Sequence, residues 1–122
     1  MTEPYFAAPL DPRVADLVRS LTARLVVIGS VARGEPYPKD VDLLYDYDSD
    51  RARQVIVAAI AKAKLEYRSV LPGNWSFPGT VYGVQVEILP LHRGASYRVC
   101  RRHAEVRTIA GLELPVARPQ DA

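Results

Sequence analysis

The sequence predicts an α/β (α+β) domain in which a mixed β-sheet is flanked by helices. Two observations carry this. A helical apolar stripe at Val14, Leu17, Val18 and Leu21 gives way at once to a short continuous apolar run, Leu25-Val-Val-Ile28. Helix and strand signals then keep alternating, in the order helix–strand–helix–strand–helix–strand–strand, which is the pattern of helices layered on a sheet.

Each element has a local cause. Asp11-Pro12 starts the first helix, with Asp as N-cap and Pro at the first helical position, and the helix is expected to end near Ala23. The run Leu25–Ile28, closed by Gly29, suits a strand buried on both faces. Ser30–Arg33 fits a single helical turn, and Gly34, Pro36 and Pro38 impose a loop. Val41–Tyr45 reads as the second strand. Asp48 or Ser49 then caps a helix from about Asp50 to Lys64, with Ala52, Val55, Ala59 and Ala63 on its buried face. Leu65–Leu71 reads as a third strand, Pro72-Gly73-Asn74 and Pro78-Gly79 as turns, and Thr80–Leu89 as a long strand stopped by Pro90. Trp75 and Phe77 fall in this turn-rich segment, where they are expected to pack under a loop. Residues 94–104 fit a helix. Glu105–Ile109 and Glu113–Val116 fit two short strands around Gly111.

Composition bounds the function. A chain of 122 residues with 48% hydrophobic content fits one domain, residues 1–122, with one core. The charge of +2, from 16 basic and 14 acidic side chains, does not by itself imply nucleic-acid binding. The single cysteine, Cys100, rules out an internal disulfide and reads as a small buried hydrophobe. The N-terminus has no basic segment followed by an apolar run, and no apolar stretch approaches the roughly 20 residues that span a bilayer. A cytoplasmic protein without membrane association is expected.

The chemistry concentrates in residues 27–48, VIGSVARGEPYPKDVDLLYDYD. A buried strand ends in Gly29-Ser30, a loop returns, and a second strand opens with Asp40-Val41-Asp42. Alternation along the strand points Asp40 and Asp42 to one face, with Cα atoms roughly 6.6 Å apart, so that both carboxylates can reach one magnesium or flank a pair. Two such ions can stabilise the attacking and leaving oxygens of a displacement at phosphorus. Gly29 has no Cβ to keep a phosphate from the backbone, and Ser30 with the following amides offers an anion site. Arg33 and Lys39 lie close in sequence and add positive charge.

This arrangement resembles the nucleotidyltransferase superfamily that includes polymerase beta, and especially its minimal bacterial and phage members. The family pattern is a strand ending in Gly-Ser or Gly-Gly, a spacer, then Asp-x-Asp or Asp-x-Glu among apolar residues. Here the spacer is the nine residues Val31–Lys39, and Ala32-Arg33-Gly34 after Ser30 is also common in the minimal members. The resemblance implies a polymerase-beta-like fold, metal-binding carboxylates at Asp40 and Asp42, and phosphate binding at Gly29 and Ser30. It also implies a third carboxylate on a later strand, for which Glu87 in Val84-Gln-Val-Glu-Ile-Leu89 is the candidate, as metal ligand or general base. The residues 106–121 are similar, more faintly, to the final strands of such enzymes.

Blander readings apply elsewhere. Asp46 and Asp48 form a second Asp-x-Asp of the same parity, but they stand too far from Ser30 and suit a strand end and helix cap. Arg93, Arg98, Arg101, Arg102 and Arg107 suit a solvated face at least as well as a polynucleotide or triphosphate. His92 and His103 lack metal-ligand spacing.

The expected activity is Mg2+- or Mn2+-dependent transfer of a nucleoside monophosphate from a nucleoside triphosphate to an acceptor hydroxyl, releasing pyrophosphate. The acceptor is a protein side chain, an RNA 3′ end or a small molecule such as an antibiotic. Some minimal members are antitoxins that modify a helical toxin partner, which implies a protein acceptor as one candidate. The alternative is a catalytically inactive module of the same fold that binds nucleotide, nucleic acid or a partner.

Overall fold

A computed structural model describes residues 9–35, 38–47, 50–66, 74–79, 84–90 and 95–122. The elements are α1 (Pro12–Leu21), a 3-10 turn (Thr22–Arg24), β1 (Leu25–Ile28), α2 (Gly29–Ala32), β2 (Asp40–Tyr45), α3 (Asp50–Ala63), β3 (Trp75–Pro78), β4 (Gln85–Leu89), α4 (Tyr97–Arg102), β5 (Glu105–Ile109) and β6 (Leu112–Val116). The strands form one mixed sheet in the order β3-β4-β2-β1-β6-β5. The pairs β1/β6 and β2/β4 are parallel, and β1/β2, β3/β4 and β5/β6 are antiparallel.

Two layers cover this sheet unequally. On one face, Val14, Leu17, Val18 and Leu21 of α1 and Ala52, Ile56 and Ile60 of α3 pack on Leu25, Val27, Leu43, Tyr45, Val86 and Ile88. Each fully buried Val, Leu or Ile contributes about 1.5–3 kcal/mol of transfer free energy, so this layer dominates stability. Tyr45 is buried there too, and its hydroxyl donates to the Ala52 carbonyl at 2.5 Å, tying β2 to the first turn of α3. On the other face, α4 covers only the β1/β6 end, where Cys100 packs with Val26, Ile28, Leu44 and Ala117. Burial on both faces explains the unbroken apolar run of β1 and the apolar Leu43-Leu44-Tyr45 end of β2.

Two sequence expectations are corrected, and a third lies mostly outside the described residues. Trp75–Pro78 is a strand, not a loop: Trp75 and Phe77 alternate with Ser76 and bury in the α1/α3 layer, and Pro78 is the last residue of a short strand that is outermost among the described residues. The buried stripe of α3 runs through Ala52, Ile56 and Ile60, with Val55 and Ala59 only at its margin; the larger isoleucines set the face. Of the expected third strand Leu65–Leu71, Leu65 and Glu66 are not in a strand and the rest lies outside the described residues, as do residues 80–83, Asp48, Ser49, His92 and Arg93. No helix among the described residues is long and apolar enough to cross a membrane.

Arg101 also departs from the solvated face. Ala117 N–H donates to the Val27 carbonyl at 2.9 Å, so Leu25 and Val27 turn their backbone groups toward β6. The ladder partner for the Leu25 carbonyl would be the N–H of residue 115, which is proline and has none. Arg101 Nη1 donates there instead, at 2.6 Å to Leu25 O and 3.4 Å to Thr22 O. A buried carbonyl left without its charged donor loses about 1–3 kcal/mol. Arg101→Met is therefore expected to lower unfolding stability by that amount in urea titrations, whereas the exposed Arg102→Met should change it by less than about 0.5 kcal/mol. Equal effects of the two would refute the staple.

Candidate metal centre

The parallel register of β2 and β4 sets Asp42 beside Glu87 and Asp40 beside Gln85. Since Val86 and Ile88 face the α1/α3 layer, Glu87 faces the other way, together with Asp40 and Asp42. The three carboxylates thus meet on the half of the sheet that α4 leaves open. Each offers an oxygen, and these oxygens all lie within 4.8 Å of one another.

That spacing fits a cation. A magnesium ion binds oxygens at about 2.1 Å, so its opposite ligands are about 4.2 Å apart, and calcium at about 2.4 Å spans about 4.8 Å. Small side-chain shifts bring the three oxygens into either shell. Without a counter-charge the cluster is costly: two ionised carboxylates at this distance repel by about 3 kcal/mol at an effective dielectric near 20. Asp42 is also the one buried charged residue among those described, 7% exposed. A buried carboxylate beside two others is the arrangement that a bound cation relieves.

Gly29 is built against this cluster. Ile28 pairs with Asp42 across β1 and β2, and at the next residue the chain turns into α2 with φ +70° at Gly29, a conformation that strains any residue with a Cβ. A Cβ there would also collide with Asp42 Oδ2 and lie 3.2 Å from Asp42 Cγ. The glycine therefore has two causes inside the chain itself, besides the phosphate approach that the sequence suggests. Ser30, half-buried, follows in the single turn of α2. Arg33 ends that turn and pairs with Glu35 at 2.9 Å on the surface. Lys39 is exposed next to Asp40, and its carbonyl accepts from Gln85 N–H at 3.2 Å, which starts the β2/β4 ladder.

Of the two competing aspartates, Asp48 lies outside the described residues and Asp46 falls elsewhere. Asp46 follows β2 at the end away from Asp40 and lies 4.0 Å from Arg24, while its N–H donates to the Arg24 carbonyl. Cys100 is buried, and burial pushes its thiol pKa up, so it is packing material and not a nucleophile. His103 is exposed and outside the carboxylate cluster.

Two neighbours of the cluster are invisible to a linear reading. Ser76 pairs with Glu87, and Gln85 pairs with Asp40, so both stand on the same face beside the carboxylates. Only the pairing of β3 with β4 reveals Ser76, and that pairing hides behind turn signals. In comparisons with protein families, with curated proteins and with solved structures, nothing matches the chain.

Proposed function

We propose that this chain is a metal-dependent nucleotidyltransferase domain of polymerase-beta-like type. The observation that carries the reading is the meeting of Asp40, Asp42 and Glu87, from two adjacent parallel strands, beside the Gly29-Ser30 turn. Asp40 and Asp42 hold Mg2+ or Mn2+, and Glu87 completes the site as ligand or as base for the incoming hydroxyl. A bound divalent cation supplies charge stabilisation at the phosphates. The Gly29-Ser30 turn grips the outer phosphates of a nucleoside triphosphate, with Arg33 and Lys39 close in sequence as further cations. The acceptor hydroxyl gives its proton to Glu87, or to solvent where Glu87 is a ligand, its oxygen attacks the α-phosphorus, the bond to the bridging oxygen of the β-phosphate breaks, and pyrophosphate leaves.

The test is label transfer. Each nucleoside triphosphate, labelled at the α-phosphate, is incubated with the chain, its co-purifying partners and magnesium or manganese. A mass increase of one nucleoside monophosphate on protein or RNA is expected. Binding of triphosphate without any transfer would identify an inactive binding module instead.

The cation can be tested separately. Manganese or magnesium at about a hundred times its dissociation constant should stabilise the fold by about 2.7 kcal/mol and raise Tm by on the order of 10 °C. An unchanged Tm, with calorimetry showing no cation binding even with triphosphate present, would refute the metal site.

A further inference from the structure

The outer edge of β5 has a use that the carboxylate site does not absorb. Among the described residues β5 is the last strand of the sheet, and Glu105, Val106, Arg107 and Thr108 are all exposed, with Val106 at 66% the most exposed large hydrophobic residue. Its backbone polarity follows from β6. Ala117 N–H bonds to Val27, so Pro115 and Ala117 turn their backbone groups toward β1, and Leu114 and Val116 turn theirs toward β5. In β5, Glu105 and Arg107 therefore make the bonds to Val116 and Leu114, while Val106, opposite Pro115, and Thr108 point their N–H and C=O groups outward.

We propose that a second copy of this chain pairs along this edge, β5 against β5, antiparallel, with the two-fold axis at Val106. In that register Val106 of each copy exchanges two N–H···O=C bonds with Val106 of the other, and the two exposed valine side chains pack together. Glu105 of each copy stands opposite Arg107 of the other. The edge is thus self-complementary in charge, as a two-fold interface requires. Other registers lack this match: an axis at Arg107 sets arginine against arginine, and an axis at Thr108 sets Arg107 against Ile109. In the single chain Arg107 and Glu105 pair with each other, at side-chain exposures of 49% and 69%, so both are within reach of a strand added at the edge. Exposed edges of this kind are usually blunted by like charge or proline; here the charges alternate in sign around an apolar centre. A strand of five residues buries little surface, so the dimer is weak and forms reversibly at high concentration.

Sedimentation velocity of the full chain over a concentration series, with charge variants, tests this. The wild type should shift from monomer to dimer as concentration rises. Arg107→Glu and Glu105→Arg should each raise the dimer dissociation constant by on the order of tenfold or more, because each sets like charges against one another across the axis. An equimolar mixture of the two variants should recover dimer, since glutamates of one then face arginines of the other. A merely structural Glu105–Arg107 pair within the strand would not respond to mixing. A wild type that stays monomeric at its highest soluble concentration, or a mixture no more associated than its components, would overturn the proposal.

Discussion

Asp42→Asn is expected to lower the proposed nucleotidyl transfer by about two to three orders of magnitude while leaving the fold as stable as before or more so. The substitution keeps size and hydrogen-bonding capacity and removes one charge from a cluster whose oxygens lie within 4.8 Å. Losing one preorganised electrostatic partner typically costs 10²–10³ in rate where catalysis is mostly positioning and charge stabilisation. The same change removes carboxylate repulsion of about 3 kcal/mol per ionised pair, offset in part by lost interactions, so the cation-free protein should gain up to about 1–3 kcal/mol. Asp46→Asn is the control. Asp46 has the same parity on the chain but lies at the far end of β2 beside Arg24, in a surface pair worth less than about 1 kcal/mol. Equal residual activity in the two variants, read as label transfer from triphosphate, would mean that Asp42 is not a ligand of the reacting site.

Gly29→Ala should destabilise the chain by about 2–4 kcal/mol. About 1–2 kcal/mol comes from forcing a Cβ into the left-handed conformation at φ +70°. The rest comes from overpacking against the Asp42 carboxylate, which has to move. Transfer activity should fall with it, since the displaced side chain is a proposed ligand. The two causes separate in a double-mutant cycle: Asp42→Ala removes the collision and leaves the backbone strain, giving a coupling energy of about 1–2 kcal/mol in chemical denaturation. Additive losses in the cycle would show that Gly29 and Asp42 do not touch.

Much of the scaffold was legible because its causes are local. Asp11 accepts from Arg13 N–H at 2.9 Å as the N-cap of α1, and Ser96 caps α4 from within the segment read as helical. The apolar runs of β1 and β2 and the turn at Ala110-Gly111 between β5 and β6 also follow from short-range chemistry. The shared face of Asp40 and Asp42 required only strand alternation. What stayed hidden depends on partners distant in sequence. That Glu87 lies beside Asp42 rests on the parallel pairing of β2 with β4, which periodicity does not encode. The site neighbour Gln85 becomes visible only with the same register, and Ser76 only with the β3/β4 pairing. The role of Arg101 follows from Pro115 facing the Leu25 carbonyl, a coincidence of three separate segments.

The parallel β2/β4 pair has a kinetic consequence. Asp42 and Glu87 come from strands that no tight turn can join, so the chain between them must be looped before either strand gains a ladder bond. Contacts of such long sequence separation are slow to form, and if they close after the folding transition state, their φ-values are near zero. A cation held by both strands would then leave the folding limb of a chevron unmoved and lower only the unfolding limb, lengthening the native lifetime without hastening its birth.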